Sequence, residues 1–224
     1  MAGLLLPFAG LLAAALLWTA GAGWLGATTP VASAFAPQAT AEALQALLFG
    51  RDLWGDVAFS LQRVAVGLAI ALVLGIPLGV LTGLSPLFSR ATTPLFQFAR
   101  MISPLSWMPI AVMVLGVGDA PVYFLLAFAA VWPILLNTAA GVSQLDPNWL
   151  LLGRSLSATR AETLLKLILP GITAHILTGV RLAIGIIWIV LVPAEMLGVS
   201  EGLGYFILDA RDRLAYSDLM AAIL

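Results

Sequence analysis

The chain has 224 residues, of which 62% are apolar and only 9% charged, with ten Lys/Arg against eleven Asp/Glu. A soluble domain carries about 25% charged residues, and so few charges cannot cover this much apolar surface; with a mean hydropathy of +1.07 the chain reads as an integral membrane protein. The absence of cysteine excludes a disulfide scaffold, a thiol nucleophile and a cysteine-ligated metal, one histidine cannot build a histidine-rich centre, and no basic, aromatic-interleaved patch points to nucleic acid.

Charge-free runs locate the membrane segments. No charge occurs before Glu42, and residues 64–89, 101–118 and 120–145 are also free of Asp, Glu, Lys and Arg. A spanning helix takes about 20 mainly apolar residues, which predicts spans at 3–27, 62–84, 98–117, 121–142 and 171–194. A sixth segment starts near Tyr216, and its apolar run Leu219–Leu224 is too short to cross. The expected fold is all-α: a polytopic bundle of five full spans plus a partial sixth, the chain being either a fragment or one that carries a partial final helix. The first apolar stretch has no Lys or Arg ahead of it and exceeds the usual core of a cleaved signal peptide, so it is read as a helix that stays.

Loops numbered alternately separate the charges. One side holds Arg90, Arg100, Arg154, Arg160 and Lys166 with only Asp146 and Glu162 as acids. The other holds Glu42, Asp52, Asp56, Asp119, Glu195, Glu201, Asp209, Asp212 and Asp218, diluted by Arg51, Arg63, Arg211 and Arg213. The positive-inside rule puts the first set and the N-terminus in the cytoplasm, with 143–170 as the longest cytoplasmic segment.

Along the second span small residues recur every fourth position, at Gly67, Ala71, Gly75, Gly79 and Gly83. Such a stripe lets two helix backbones approach closely, inside the same bundle or across a dimer seam. Pro77, Pro104, Pro109, Pro133 and Pro193 kink or break several spans. Backbone groups freed at membrane depth survive only where protein or a water-filled cavity satisfies them, which favours a transporter or channel over an inert anchor.

The segment 146–170 reads as two short helices. Asp146-Pro147 is a cap with a first-turn proline; Ser157 or Thr159 opens the second helix, Thr159-x-x-Glu162 matches a capping box, and Pro170 stops it. Lying at the surface, the pair is either a lipid-facing elbow or a protein docking element.

This loop resembles the cytoplasmic signature of the inner-membrane permease subunits of bacterial binding-protein-dependent ABC importers, Glu-Ala-Ala-x3-Gly-x9-Ile-x-Leu-Pro. Leu169-Pro170 matches its end, Leu167 stands at the Ile position and Ser157 at the Gly position; Leu151-Leu152-Gly153 replaces Glu-Ala-Ala. Ser60-Leu-Gln-Arg-Val64, Arg100-Met-Ile-Ser-Pro-Leu-Ser-Trp-Met-Pro109 and Trp132-Pro-Ile-Leu-Leu-Asn-Thr138 also look like this family. So do Gly179-Val-Arg-Leu-Ala-Ile-Gly-Ile-Ile-Trp188, Ala194-Glu-Met-Leu-Gly198 and Gly202-Leu-Gly-Tyr-Phe-Ile207. The resemblance covers about 57–224, leaving 1–56 as an N-terminal span and loop, and points to the nitrate/sulfonate/taurine/bicarbonate branch.

It implies a type I importer permease in the bacterial inner membrane. Its partners would be a second permease copy, identical to the first, two ATP-binding cassette subunits that carry ATP and Mg, and a periplasmic substrate-binding protein. The loop residues Gly153, Arg154, Ser155, Leu156, Ser157, Ala158, Thr159, Arg160, Glu162, Leu169 and Pro170 would couple ATPase closure to tilting of the bundle. The sequence independently assigns ATP hydrolysis to another chain: its only lysine, Lys166, lies in Leu165-Lys-Leu167, so there is no phosphate-binding Gly-x4-Gly-Lys-Ser/Thr loop. No cofactor is expected in the chain.

Rival readings are weaker. Gly116-Val-Gly-Asp119 spells the Gly-x-Gly-Asp pattern of membrane aspartyl proteases, but a second intramembrane aspartate is missing and a tight turn explains it. His175 with Ser103 or Ser106 lacks a nucleophile-elbow pattern. A channel or secondary transporter remains compatible with Gly- and Pro-rich spans. Polar residues inside spans are pathway candidates: Ser103, Ser106, Trp107, Asn137, Thr138, Arg181, Trp188 and Glu195. Arg181, some 15 Å into its helix, either attracts an anion or locks helices through backbone carbonyls; Glu195 pairs with a neighbouring helix or docks the binding protein.

Overall fold

The computed structural model describes residues 2–26, 34–50 and 52–224, and all regular structure among them is helical. In chain order the helices are α1 (Ala2–Gly26), α2 (Pro37–Phe49), α3 (Asp52–Leu84), α4 (Pro86–Met101), α5 (Met108–Leu115), α6 (Asp119–Ser143), α7 (Pro147–Ser155), α8 (Arg160–Glu162), α9 (Leu169–Gly171), α10 (Thr173–Gly198), α11 (Leu203–Asp212) and α12 (Tyr216–Ile223). A 3₁₀ turn, Pro104–Trp107, precedes α5, and a π turn, Thr163–Ile168, joins α8 to α9. Helices α1, α3, α6 and α10 are long and apolar enough to cross a bilayer, and the bent pair α4 and Pro104–Leu115 makes a fifth crossing if counted as one.

The chain forms two compact units, one from the residues up to Phe59 with Glu201–Leu224, the other Ser60–Ser200. In the first, α1 exposes Phe8, Leu11, Leu12, Leu17 and Trp24, an apolar surface suited to lipid. The Trp18 indole N–H donates to the Phe35 carbonyl at 3.0 Å, the Ser217 hydroxyl to the Ala34 carbonyl at 3.0 Å, and Phe35 packs on Tyr216 with ring centroids 5.5 Å apart. Asp56 accepts the Gly202 N–H at 2.7 Å. The predicted sixth segment is α12, whose eight residues rise only about 12 Å against a hydrocarbon core of about 30 Å.

The second unit is a bundle around α6. The small-residue stripe of α3 faces α6 of the same chain. A Cβ at Gly67 would lie 2.6 Å from the Leu126 Cβ, one at Gly79 2.6 Å from the Leu135 carbonyl oxygen, and one at Gly83 2.5 Å from the Val142 Cβ. On another side of α6, Gly179 of α10 brings its backbone against Pro133 and Ile134. Leu125, Leu126, Ile134, Ala183, Ile187 and Leu191 fill the fully buried centre.

Two spans depart from the sequence expectation. The helix predicted from residue 62 starts at Asp52 and runs 33 residues. The span predicted as 98–117 is not one helix. The chain breaks at Ile102 and Ser103, both extended, and bends by 87°. Pro104 disfavours helical backbone at the preceding residue and supplies no N–H, and Pro109 falls in the first turn of α5, where its missing N–H costs nothing. Pro77, Pro133 and Pro193 sit inside helices that continue through them.

One ion cluster ties three helices near the Gly198 end of α10. The Arg63 Nε donates to Asp119 at 2.8 Å and its Nη1 to Glu195 at 2.7 Å, while the Ser60 hydroxyl lies 2.8 and 2.9 Å from the two Glu195 carboxylate oxygens. Ser60 and Glu195 are fully buried and Arg63 is 3% exposed. Ser60 and Arg63 share a face of α3 at i,i+3 spacing, and Asp119 opens α6, where a carboxylate also suits the helix N-terminus. The turn before Asp119 requires its glycines: Gly116 and Gly118 have φ of +82° and +127°. The Gly-x-Gly-Asp pattern is thus a tight turn whose aspartate is held by a guanidinium.

Gly79→Leu should force α3 from α6, at a cost of about 1–3 kcal/mol for inserted core volume. Gly10→Leu on α1, where a Cβ meets nothing within 4 Å, should leave the thermal unfolding midpoint in detergent unchanged. Glu195→Ala should remove one of the carboxylates that hold the buried Arg63 and destabilise the bundle by about 3–5 kcal/mol, as removal of one partner from a buried pair does; equal midpoints for Glu195→Ala and wild type would refute that role.

Candidate functional site

The segment between α6 and α10 is built as a rigid projection. Asp146 starts α7: its carboxylate accepts the Asn148 N–H at 2.9 Å and its carbonyl the Trp149 N–H at 3.0 Å. Gly153 is buried because a Cβ there would lie 2.8 Å from Leu167 Cδ1 of the returning helix. α7 ends on a left-handed residue, Ser157, with φ +54°, and the Ala158 N–H reaches back to the Gly153 carbonyl at 2.9 Å. That six-residue return bond is the Schellman closure, in which glycine ordinarily takes the left-handed position. The serine at the family's glycine position is therefore constrained by backbone conformation, and side-chain volume is the lesser issue.

Thr159 then opens the second helix with the predicted capping box. Its hydroxyl accepts the Glu162 N–H at 3.2 Å, and its own N–H donates to Glu162 Oε2 at 3.1 Å. Lys166 donates to Glu162 Oε1 at 3.1 Å. The Thr159 N–H first, then Lys166, holds the Glu162 carboxyl down to about 2, so it is ionised at neutral pH. Pro170 does not stop this helix as expected. The helix reaches Gly171 and is interrupted at Ile172, because the wide π turn at Thr163–Ile168 takes up the missing Pro170 N–H and the ring's clash with the preceding turn.

Ile168 and Ile172 are buried with Val80 of α3 and Val142 of α6, flanked by Leu164 and Leu169, so the projection is seated on the base of the bundle. Trp149, Leu151, Leu152, Leu156 and Leu165 are half or more exposed. Ser155, Ser157, Thr159, Arg160 and Pro170 are exposed as well, Ala158 and Glu162 partly so. Arg154 lies on α7, and its side chain falls outside the described residues.

The residues expected along a pathway do not converge. Asn137 lines a cavity of about 360 Å³ where the α4 break meets α6 and α10, with Arg100, Pro104, Trp132, Leu182 and Ile186; its amide also donates to the Pro133 carbonyl at 2.8 Å. Ser103 and Ser106 are exposed at the break. Trp107 packs on Phe128 with centroids 5.9 Å apart. Thr138 is fully buried against Gly79. Arg181 and Trp188 lie on the exposed side of α10, and Glu195 belongs to the ion cluster. A second, almost wholly apolar cavity of about 540 Å³ lies between α3, α4 and α6, lined by Ile70, Leu74, Phe96, Tyr123 and Phe128. Sequence reasoning missed Ser60, Arg63 and Asp119 as a unit, and Arg100 with Trp132. Ser60-x-x-Arg63 on one helical face was the available signal for the first; the second needs the bend.

Comparison with known proteins agrees with this architecture. The chain is 37% identical over 232 residues to the bicarbonate transport system permease protein CmpB of Synechococcus elongatus, an alignment covering 99% of this chain and 82% of that one. It is 39% identical over 174 residues to the nitrate import permease protein NrtB of Leptolyngbya laminosa, covering 78% and 62%. The taurine transport system permease protein TauC of Escherichia coli is 34% identical over 171 residues, covering 76% and 62%. The model of the binding-protein-dependent transport system inner membrane component family matches residues 75–224, a stretch that holds the bent α4–α5 pair, α6, the projecting loop and α10, and the chain belongs to that family.

Proposed function

We propose that the chain is the permease subunit of an ATP-driven inner-membrane importer for a small oxyanion of the nitrate, bicarbonate or sulfonate type. It works as a pair of identical copies, with an ATPase subunit against each 153–170 projection and a binding protein at the opposite face. The N-terminus and the projection are cytoplasmic. The observation that carries this reading is the projection itself: two short helices locked by a Schellman turn and a capping box, seated on the bundle through Ile168 and Ile172, with an apolar tip and Arg160 facing outward. A lever must be stiff and firmly seated, and this one is both. The relatives named for bicarbonate, nitrate and taurine supply the substrate class. ATPase closure would push on the projection and tilt α6 and α10; this chain makes and breaks no covalent bond.

Ser157 provides the sharpest test. Relief of a left-handed conformation is worth about 1–2 kcal/mol, so Ser157→Gly should retain ATPase association and uptake. Ser157→Val, a β-branched residue forced to positive φ, should insert in the membrane but lose both, read by co-purification of the ATPase and by uptake into vesicles. Full association with Ser157→Val would return the loop to the lipid-facing reading. For orientation, Ser155→Cys and Ser200→Cys in this cysteine-free chain should label from opposite sides with an impermeant thiol reagent, Ser155→Cys from the cytoplasm.

A further inference from the structure

We propose that the 360 Å³ cleft at the α4 break is an oxyanion site of the transport path, with Arg100 as its charged contact. The proposal deepens the importer reading above and rests on it.

Depth comes first. Leu182 and Ile186 of α10 line the cleft and stand nine and thirteen residues after Thr173, about 14–20 Å along a helix of 26 residues. The cleft therefore lies about midway along α10, open at the surface of this chain, and Arg100, which the charge count grouped with the cytoplasmic loops, stands beside it. The chain opposite is the extended Ile102–Ser103 link, and irregular backbone at membrane depth is tolerated only against protein or a water-filled cavity. The cleft is a place where the backbone freed by this break can be satisfied.

Donors come second. Arg100 is exposed and makes no hydrogen bond or ion pair with any described residue. Trp132 lines the cleft with its ring, and its indole N–H is shielded and has no acceptor among the described residues. Asn137 contributes a side-chain amide that is itself half-buried. No carboxylate lines the cleft. A guanidinium fork beside the remaining N–H of the Asn137 amide, with no carboxylate among the lining residues, is a donor set for a small oxyanion, two of whose oxygens the fork can bond at once.

Arg63 and Arg181, the arginines on α3 and α10, do not offer the same chemistry. Arg63 is committed to Asp119 and Glu195, and Arg181 lines none of the cavities described. The ordinary role of a cation in the last turn of α4, complementing the helix dipole, is real and worth about 0.3–1 kcal/mol. It needs neither the cleft nor Trp132.

The test uses the complete transporter, permease with its ATPase, in proteoliposomes supplied with the binding protein. Uptake of labelled nitrate, bicarbonate and taurine is measured beside ATP hydrolysis, and the reading is anion moved per ATP hydrolysed. Arg100→Gln should still insert and co-purify with the ATPase, but the ratio should fall about tenfold or more, the scale of a lost charge-assisted hydrogen bond. Arg100→Lys, which keeps the charge and loses the fork, should recover part of it. An unchanged ratio for Arg100→Gln with working wild type would overturn the site alone, as would uptake and hydrolysis falling in parallel, the mark of a structural role. Wild-type transporter that moves none of the three anions would overturn the oxyanion reading and the site with it.

Discussion

Inside a bilayer, helices gain nothing by hiding apolar side chains from one another, because lipid tails are equally apolar. Close backbone contact has to do the work, and in this protein α6 receives it from two sides. The glycines of α3 meet it at Leu126, Leu135, Thr138 and Val142, and Gly179 of α10 meets it at Pro133 and Ile134. Such contacts tolerate no added methyl group. They make the three helices a single stiff element, which is what a transporter needs if force applied at one end is to reach the other.

The features that bear on function are strung along that element. At one end Asp119 opens α6 and shares Arg63 with Glu195 of α10. Midway, Trp132 lines both the apolar cavity and the cleft at the α4 break. At the far end Gly141 packs under His175, and Val142 joins Ile168 and Ile172 beneath the projecting loop. The loop is thereby seated directly on the bases of α6 and α10. At Ile172 a single residue departs from helical backbone, while the flanking hydrogen bonds from Ile172 to Ile168 and from Ile176 to Ile172 continue.

The three arginines placed in or beside the spans show how burial assigns roles to identical side chains. Arg63 is desolvated and therefore held by two carboxylates, since an isolated buried charge would be intolerable. Arg100 keeps access to a cleft and has no internal partner. Arg181 faces outward from α10, on a surface that a second copy or lipid would cover.

Much of this was legible before any coordinates. Apolar runs and charge gaps located α1, α3, α6 and α10, because spanning length and hydropathy are local properties. The four-residue glycine period announced a close helix contact, and Thr159-x-x-Glu162 announced a cap, since both depend on spacing along one helix. The tertiary structure decided what depends on residues distant in the chain. It joined Ser60, Arg63, Asp119 and Glu195 across as many as 135 positions, and it sent the glycine stripe toward α6. It broke the expected 98–117 helix so that Arg100 meets Trp132 and Asn137, and carried the chain through Pro170 on a π turn. The physical reason is the same in each case: a hydrogen-bond partner or a backbone bend is chosen by what packs alongside, and packing is invisible to a one-dimensional pattern.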